Sequence, residues 1–514
     1  MYSKILSGTP VGVDAYMVGV EVDISPGLPS FNIVGSIGGE VRESKERVCV
    51  ALRNTGFRLP ASRITVNLSP ADRRKDGTAF DLPVAVGILH SSKPFSAEII
   101  ENTLFLGELG LNGELKKVRG VLPIICEAAR QGIADCIVPM ANLMEAAVVP
   151  KINVYGADNI ARVYDYLNKG DKSILTHEHI NAELTFERER DIAAGDFSHI
   201  IGQNMAKRAA KIAAAGFHNL LMTGPPGVGK SMIAKCITGI LPPLTLPESL
   251  EITSIMSVAG LLKEGEALVT ERPFVNPHHT ISLPALIGGS TIPRPGAMSL
   301  AHRGVLFLDE LPEFGVRLLD GMRQPLEDRR VNIARVYGNI SYPADCMLVA
   351  AMNPCPCGYY PDLNRCRCTG VQIKRYMGRI SGPILDRMDL CVELKPVEPG
   401  RMQEGKGSES SHRMRLQVIN AHNRQKERFR GTAYRFNTDI SAAEIDKYCR
   451  LGSEESRCME KLCDSLQLST RSYHKILRVA RTIADLEDCD EIETGHLLEA
   501  ACFRPSQDYW YREL

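Results

Sequence analysis

The alternation of apolar and polar residues separates an N-terminal region from the rest of the chain. Over residues 1–168, segments with the period-two pattern of strands, such as 17–24, are mixed with segments of helical periodicity, such as 39–55. This mixture predicts an α/β or α+β domain. Residues 169–195 are polar and rich in charge, with little apolar periodicity, so we predict that they form a linker.

Beyond the linker, residues 196–395 alternate helical segments with short, mainly apolar runs at 219–223, 305–308 and 347–351. Such runs are typical of buried strands in a parallel sheet whose connections are crossover helices. The last region, 396–514, has the apolar spacing of helices and no clear strand pattern. The fold class is therefore α/β, with a helical domain at the C-terminus.

Length and composition fit this division. At 514 residues the chain exceeds the roughly 100 to 200 residues that one domain usually contains. Hydrophobic residues make up 44% and charged residues 24%, as in ordinary globular proteins, so a disordered or fibrous chain is excluded. Lys+Arg and Asp+Glu both number 61, so the net charge is zero and any site for a polyanion must be local.

The sequence also indicates where the protein works. No segment reaches the roughly 18 apolar residues that a membrane span needs, and the N-terminus lacks the apolar core of a secretory leader. Most of the fifteen cysteines are scattered singly through apolar segments, where cysteine acts as a small buried hydrophobe. We therefore expect a cytoplasmic protein with no membrane partner.

A glycine-rich motif at 224–231 predicts a nucleotide site. It follows an apolar run and precedes a helical segment, which is the context of a phosphate-binding loop. Glycines let backbone N–H groups wrap the β-phosphate, the lysine reaches the β- and γ-phosphates, and the hydroxyl of the last residue ligates Mg²⁺. The motif consists of Gly224, Pro225, Pro226, Gly227, Val228, Gly229, Lys230 and Ser231.

Two later strand patterns end in polar residues that complete such a site. The run 305–308 is followed by Asp309 and Glu310, which we assign to the Mg²⁺ shell and to orienting the attacking water. An acidic pair after a strand is by itself more often a solvated turn, but the phosphate motif favours the catalytic interpretation. The run 347–351 leads to Asn353, a candidate γ-phosphate sensor on a strand that we expect between the other two.

One cysteine cluster departs from the scattered pattern. Two Cys-x-Cys pairs lie close together and are interleaved with turn-forming residues, so four thiolates can meet in a tetrahedral site. Structural zinc is the interpretation that we favour, and reduced thiols or a redox pair, or an iron–sulfur cluster, are the alternatives. The four residues are Cys355, Cys357, Cys366 and Cys368.

Several basic residues have two interpretations each. Arg387 lies near the end of the segment 381–389, and Arg471 lies at the start of the predicted helix 472–485. Each is also compatible with an ordinary surface arginine. The run 401–435 has nine Lys or Arg against three Asp or Glu, which suits phosphates but also suits a solvated helix face.

The phosphate motif and four further sequence blocks resemble those of AAA+ ATPases that carry an insertion in helix 2. This clade includes magnesium chelatase I subunits and MCM helicases. The likeness is strongest to the ComM/YifB family of magnesium chelatase-like proteins, and it covers essentially the whole chain. The blocks are PHHTIS at 277–282, PRPGAMSLAHRGVLFLDELPEF at 293–314, RQPLEDRRV at 323–331 and MLVAAMNPCPCG at 347–358.

This resemblance implies a P-loop AAA+ core with a helical lid and an ATPase that uses ATP and Mg²⁺. It also implies a homo-oligomer, expected to be a hexamer, that acts on branched or single-stranded DNA and drives branch migration in homologous recombination or natural transformation. By that likeness Arg387 is the arginine finger that reaches a neighbouring subunit's nucleotide, and Arg471 is sensor 2. Gln203 lies in a block that looks like the segment lining the adenine pocket.

The resemblance also suggests where DNA is contacted. In related ring helicases a hairpin before sensor 1 enters the central pore, and its counterpart here is 329–342. Arg335 and Tyr337 would then be its charged and stacking members.

Residues 1–168 are similar to the Lon-protease-like domain, which has the S5 domain 2-like fold. Lon proteases use a Ser-Lys dyad whose serine follows a Lys-Asp-Gly-Pro motif. Here residues 75–78, Lys-Asp-Gly-Thr, lead to Ala79, and Leu122 stands where we place the dyad lysine. Because both groups are missing, we expect a scaffold or a DNA-side collar and no peptidase activity.

Two other functions stay open at this point. One is a magnesium chelatase I-type motor that remodels a protein partner, although chelatase I subunits lack the N-terminal domain. The other is a peptidase or a DNA-binding scaffold without motor activity, and the absence of a serine at position 79 disfavours the peptidase.

Overall fold

The computed structural model describes residues 1–178, 180, 183, 195–289, 293–335, 338–397 and 409–504. In these residues the chain forms an N-terminal α/β domain, a second α/β domain built on a parallel sheet, and a helical C-terminal domain. Among the helices of these residues, none is both long and apolar enough to cross a membrane.

The N-terminal domain is built on a mixed sheet. Its strands are β1 (Tyr2–Val11), β2 (Asp14–Ser25), β3 (Ser30–Val34), β4 (Arg63–Ser69), β5 (Thr103–Phe105), β6 (Glu108–Leu109), β7 (Leu115–Lys116), β8 (Asp135–Pro139), β9 (Asn153–Ala157) and β10 (Thr176–Glu178). Its helices are α1 (Gly39–Asn54), α2 (Asp81–Ser92), α3 (Ala97–Glu101), α4 (Val121–Arg130), α5 (Leu143–Ala146) and α6 (Ile160–Lys169).

The sheet has the order β10-β9-β8-β5-β1-β2-β4-β3, and β6 and β7 form a separate ribbon. The strands β1, β2 and β4 are antiparallel neighbours, whereas β5, β8 and β9 run parallel. Alternation along β2 buries Val18, Val20 and Val22 completely, and α2 packs over β1 and β2. The predicted α/β character of this region is therefore confirmed.

The N-terminal sheet extends further along the chain than the sequence predicted. Strand β10 pairs with β9 in antiparallel register, with Thr176 opposite Gly156, although 176–178 fall within the predicted linker of 169–195. Leu175 is buried just before this strand. Burial of this leucine and edge pairing with β9 outweigh the polar composition, so the prediction of a linker from residue 169 onward was too early. Apart from 180 and 183, residues 179–194 lie outside the described part of the chain.

A parallel sheet forms the centre of the second domain. Its strands are β11 (Leu220–Thr223), β12 (Phe274–Val275), β13 (Val305–Leu308), β16 (Met347–Met352) and β17 (Leu390–Glu393), with a hairpin of β14 (Arg330–Arg335) and β15 (Gly338–Pro343) inserted between β13 and β16. Its helices are α7 (Asn204–Gly216), α8 (Lys230–Ile240), α9 (Leu246–Ala259), α10 (Leu283–Ile287), α11 (Ala297–Leu300), α12 (Val316–Gly321), α13 (Arg323–Asp328), α14 (Gly370–Met377) and α15 (Gly382–Leu385).

The strand order is β12-β13-β16-β11-β17, and every pairing is parallel. Strand β16 therefore lies between β13 and β11, as predicted. Each residue of β11, β13 and β16 is buried, which explains why these strands are apolar in sequence apart from Thr223 at the end of β11. All carboxyl ends of the strands consequently meet at one edge of the sheet.

The C-terminal domain packs against this sheet. As predicted, residues 409–504 contain helices and no strand: α16 (Ser411–Arg428), α17 (Ile445–Tyr448), α18 (Ser453–Leu466), α19 (Thr470–Leu486) and α20 (Thr494–Cys502). Its buried side chains join those of α7, α8 and the sheet in one apolar cluster, which includes Ile476, Ala480 and Ile483 of α19. The position of α19 relative to the sheet is thereby fixed.

The N-terminal domain contacts the second domain at the helix α9 and the loop that follows it. The backbone N–H of Gly120 donates to the carbonyl of Ser257 at 3.0 Å, and Nζ of Lys117 donates to the carbonyl of Leu262 at 2.7 Å. Ala267 and Leu268 are buried in an apolar cluster that otherwise belongs to the N-terminal domain. These contacts hold the first domain against α9 and residues 260–268 of the second domain.

Candidate functional site

The glycine-rich motif forms the loop between β11 and α8. Gly227 and Gly229 have φ values of 80° and 96°, a left-handed conformation that glycine adopts without strain. A Cβ on Gly224 would lie 2.5 Å from the carbonyl oxygen of Leu394, so no larger residue fits where this loop passes β17. The loop ends at the N-terminus of α8, where free backbone N–H groups face outward and favour an anion.

Lys230 is held at the centre of this loop. Its ammonium donates to the carbonyls of Gly224 at 2.5 Å and Pro225 at 3.0 Å, and to Oδ1 of Asn353 at 2.9 Å. Burial lowers the pKa of Lys230 to about 8, and the carboxylates of Asp309 and Glu310 oppose that shift. The structure therefore joins the phosphate loop and the predicted sensor strand through one hydrogen bond.

Ser231 and Asp309 form an oxygen-rich pair suited to Mg²⁺. The Ser231 hydroxyl donates to Oδ2 of Asp309 at 2.8 Å, and Asp309 directly follows β13. A hydroxyl and a carboxylate are hard oxygen ligands, and Mg²⁺ commonly binds with one or two protein oxygens plus substrate phosphates. The donor set at this position thus fits the ion that the sequence predicted.

Glu310 lies at the entrance of the site in a left-handed conformation, with φ of 53°. Its backbone N–H donates to Oδ1 of Asp309 at 3.0 Å, and its Oε2 lies 3.5 Å from Nδ1 of His279. His279 lies in the block 277–282, where the sequence alone favours a turn-capping or subunit-contact role over a metal ligand. Its position beside Glu310 suits a residue that orients this carboxylate.

Gln203 lies next to the same loop. It adopts a left-handed conformation before α7, and its Nε2 donates to the carbonyls of Lys395 at 2.7 Å and Val228 at 3.5 Å. It therefore connects the phosphate loop to the end of β17.

The two candidate arginines lie together, away from the phosphate loop. Nη2 of Arg387 is 2.8 Å from Oε2 of Glu327, and Nη2 of Arg471 is 3.7 Å from Oε1 of the same carboxylate. The carbonyl of Arg387 accepts from the side chain of Asn219, which precedes β11. The phosphate loop follows β11, so the arginines lie at the opposite edge of the sheet, about 13 Å away along a four-residue strand.

Glu327, which contacts both arginines, is a residue of this site that the sequence does not predict. Glu327 lies in the block 323–331, but a single glutamate on a short helix gave no signal of its role. Since both arginines contact Glu327, Arg471 lies close to Arg387 and not to Lys230. Neither arginine faces the phosphate loop of its own chain.

The four predicted cysteines converge. The sulfurs of Cys355 and Cys357 are 3.3 Å apart, and that of Cys366 is 3.7 and 3.5 Å from them. All four sulfurs, including that of Cys368, lie within 4.8 Å of one another. A tetrahedral zinc site with Zn–S bonds of about 2.3 Å requires sulfurs about 3.8 Å apart, so the donor set fits this metal.

Three arginines of the basic run form internal ion pairs. Arg428 pairs with the fully buried Asp485 of α19, and Arg424 contacts Asp488 and Asp490. Arg435 pairs with Glu248. Arg424 and Arg428 thus stabilise the helical domain, and Arg435 joins it to α9, so these three arginines have partners within the chain.

The predicted hairpin is present as β14 and β15. The side chain of Arg335 and all of Tyr337 lie outside the described residues, as do 401–408. In the N-terminal domain, Ala79 and Leu122 are buried in one apolar cluster.

Family models for magnesium chelatase match the chain in three parts. The model described as magnesium chelatase, subunit ChlI, matches residues 196–402, and the model for its C-terminal part matches 408–504. A third model, subunit ChlI of Mg-chelatase, matches 20–142.

Characterised and uncharacterised relatives span nearly the whole length. The chain is 43% identical to Competence protein ComM of Haemophilus influenzae over 97% of both chains. It is 41% identical to the uncharacterized protein YifB of Salmonella typhimurium, over 96% of this chain and 95% of the relative. A shorter stretch, 27% of each chain, is 32% identical to Lon protease 2 of Bacillus subtilis.

Proposed function

The chain belongs to the ComM/YifB family of magnesium chelatase-like AAA+ ATPases, and from that membership we propose that it is a DNA motor. It couples ATP hydrolysis to branch migration of recombination intermediates, in homologous recombination or natural transformation. Likeness to a competence protein along the full length supports the DNA substrate. The proposal places this work in the cytoplasm, which suits fifteen cysteines that all lie in described residues and form no disulfide.

The separation of the arginines from the phosphate loop carries the proposal. Lys230 and Asp309 lie at one edge of the parallel sheet, and Arg387 and Arg471 lie at the other. A nucleotide on one chain therefore receives its arginines from the next chain. Heterologous contacts of this kind form either an open filament or a closed ring, and we propose a closed ring of six subunits.

The residues divide the chemistry of hydrolysis among themselves. Backbone N–H groups of 224–231 and the ammonium of Lys230 bind the phosphates, while Ser231 and Asp309 hold Mg²⁺. Glu310 accepts a proton from the attacking water, and Asn353 orients the γ-phosphate through its contact with Lys230. Arg387 and Arg471 of the next subunit neutralise charge that develops on the transferred phosphoryl group. Gln203 contacts the base side of the nucleotide.

Within this proposal the four-cysteine cluster holds a structural zinc ion. The sulfur positions match a tetrahedral thiolate site, and the backbone N–H of Tyr360 donates to the sulfur of Cys355 at 3.4 Å. A donor of that kind stabilises a metal-bound thiolate. The metal content of purified protein tests this assignment directly.

Mixed rings test the shared site. Lys230→Ala and Arg387→Ala are each expected to abolish ATP turnover, because one removes the phosphate ligand and the other the neighbour's finger. In an equal mixture of the two variants, about a quarter of the subunit interfaces combine an intact Lys230 on one subunit with an intact Arg387 on the next. Recovery of ATPase activity on mixing supports a shared site. A mixture as inactive as its components would contradict it.

A four-way DNA junction tests the substrate. The purified protein is expected to convert a labelled mobile junction into duplex products with ATP, and the Lys230→Ala variant is not. The ATPase rate should rise with branched or single-stranded DNA. Robust ATP hydrolysis with no binding to forked DNA and no junction movement would refute the DNA part of the proposal.

A chelatase-type motor that remodels a protein is the second candidate. The three chelatase models that match along the chain favour it. It differs from the first candidate in its activator, because a protein partner, and not DNA, would stimulate ATP hydrolysis. The same ATPase assay with DNA and with protein substrates separates the two.

A further inference from the structure

The four-cysteine segment touches the phosphate loop directly. Gly358, which follows Cys357, packs so closely on Pro226 that an added Cβ would lie 2.6 Å from Cδ of that proline. Gly358 has φ of +85°, and its N–H donates to the carbonyl of Cys355 at 3.0 Å. The turn that carries the first cysteine pair is therefore also the surface on which the phosphate loop rests.

The same segment contacts the phosphate loop a second time. Asn353, two residues before Cys355, accepts a hydrogen bond from Lys230 at 2.9 Å. The chain from 353 to 358 thus meets the loop at both ends, through Lys230 and through Pro226, with two of the cysteines between these contacts. A displacement of the cysteines would move both contacts at once.

The second cysteine pair reaches this segment only through a longer turn. Cys366 lies 3.7 Å from the sulfur of Cys355, and its backbone N–H is bonded to the carbonyl of Asp362 inside the same turn. Cys355 is fully buried, whereas Cys357 and Cys368 are half-buried. A metal ion that joins the two pairs would close this turn and hold the first pair, and with it 353–358, in place.

We propose that a zinc ion bound by the four cysteines controls ATP turnover, because it fixes the surface that supports the phosphate loop. This inference rests on the ATPase activity and on the zinc assignment in the proposed function, and it goes beyond both. The cysteine site acts through Pro226 and Asn353, so it is a positioning site and contributes no group to the reaction itself.

Removal and return of the metal is the first test. Full-length protein is treated with a zinc-selective chelator that spares Mg²⁺, and bound zinc, circular dichroism and ATPase rate are measured before and after zinc is restored. We expect kcat to fall about 10- to 100-fold, as a misplacement near 1 Å does, with secondary structure retained and activity restored by zinc. Unchanged turnover in metal-free, folded protein would overturn the proposal.

A single substitution separates the contact from the metal. Gly358→Ala keeps all four cysteines, so zinc should stay at one ion per chain, but the new methyl displaces Pro226. Gly56→Ala is the matched control, since Gly56 has φ of +88° and nothing within 4 Å of its Cβ position. We expect turnover to fall at least tenfold in the first variant and to stay near wild type in the second. Equal rates in the two variants would overturn the proposal.

The measurements also distinguish the possible failures. Wild-type protein that hydrolyses no ATP would refute the proposed function and this inference with it. Wild-type protein that hydrolyses ATP but neither contains nor binds zinc would refute the zinc assignment and this inference, and would leave the motor intact. Zinc-bound, active wild type with an unaffected Gly358→Ala variant would refute this inference alone.

Discussion

ATP affinity should fall as the pH rises above 8, because of the buried Lys230. In the nucleotide-free protein, burial lowers the pKa of this ammonium to about 8. Bound phosphates bring negative charge beside it and favour the protonated form, so the pKa rises on binding. Binding above pH 8 therefore takes up a proton, and the neutral fraction of free protein must first be protonated.

The size of the effect follows from this one titration. In free protein with a pKa of about 8, deprotonation of Lys230 lowers the fraction that can bind ATP. The reduction is a factor of about 1.3 at pH 7.5 and about 11 at pH 9. The dissociation constant should thus increase about eightfold over this range, provided the lysine stays protonated in the complex. A series that starts at pH 7.5 lies above the pKa of about 6 typical of a terminal phosphate, so the nucleotide contributes little.

Fluorescence titration with a labelled ATP analogue, at constant ionic strength and Mg²⁺, measures this dependence. Calorimetry in two buffers of different ionisation enthalpy should report close to one proton taken up per ATP at pH 9. Lys230→Arg is the control, because a guanidinium stays charged and should remove the pH dependence whatever its effect on affinity. A flat profile for the wild type, or the same slope in the arginine variant, would refute the reasoning.

Three further outcomes are expected. Glu310→Gln should bind ATP normally but lower kcat about 10²- to 10⁴-fold, as measured by phosphate release, since the amide cannot accept the proton of water. His279→Ala should lower kcat about tenfold with KM unchanged, and a change in KM alone would contradict its role in orienting Glu310. Asp81→Ala should destabilise the N-terminal domain by about 3 kcal/mol in urea unfolding, because Arg47, bound to this buried carboxylate at 2.7 and 3.0 Å, would lose this partner and keep the exposed carboxylate of Glu43 at 3.8 Å.

Much of the site was predictable because its signals are local. A buried parallel strand has no polar face, so a wholly apolar run that ends in Asp309 or Asn353 marks both a strand and its carboxyl edge. The phosphate motif needs glycine at Gly227 and Gly229 for a positive φ, and that requirement is visible in the sequence. The cysteine spacing likewise predicted convergence, which the sulfur distances confirm.

Other parts depend on contacts between distant segments, which no local pattern encodes. Glu327 meets Arg387 across 60 positions of sequence and meets Arg471 from another domain. Strand β10 was taken for a linker because its polar residues pair at a sheet edge, where one face is open to solvent. Gly358 gave no signal beyond its place in a turn, since the need for glycine there comes from Pro226.

The parallel sheet itself accounts for the distance between the phosphate loop and the two arginines. In a sheet whose strands all run one way, loops that follow strands and loops that precede them lie at opposite edges, and the strand length separates them. The phosphate loop follows β11, whereas Arg387 precedes β17, its immediate neighbour in the sheet. Although β11 and β17 are neighbours, the phosphate loop and Arg387 lie at opposite ends of them because the two strands run in the same direction. If Arg387 and Arg471 serve a triphosphate, it is one bound by another copy of the chain, so the requirement for assembly follows from strand polarity.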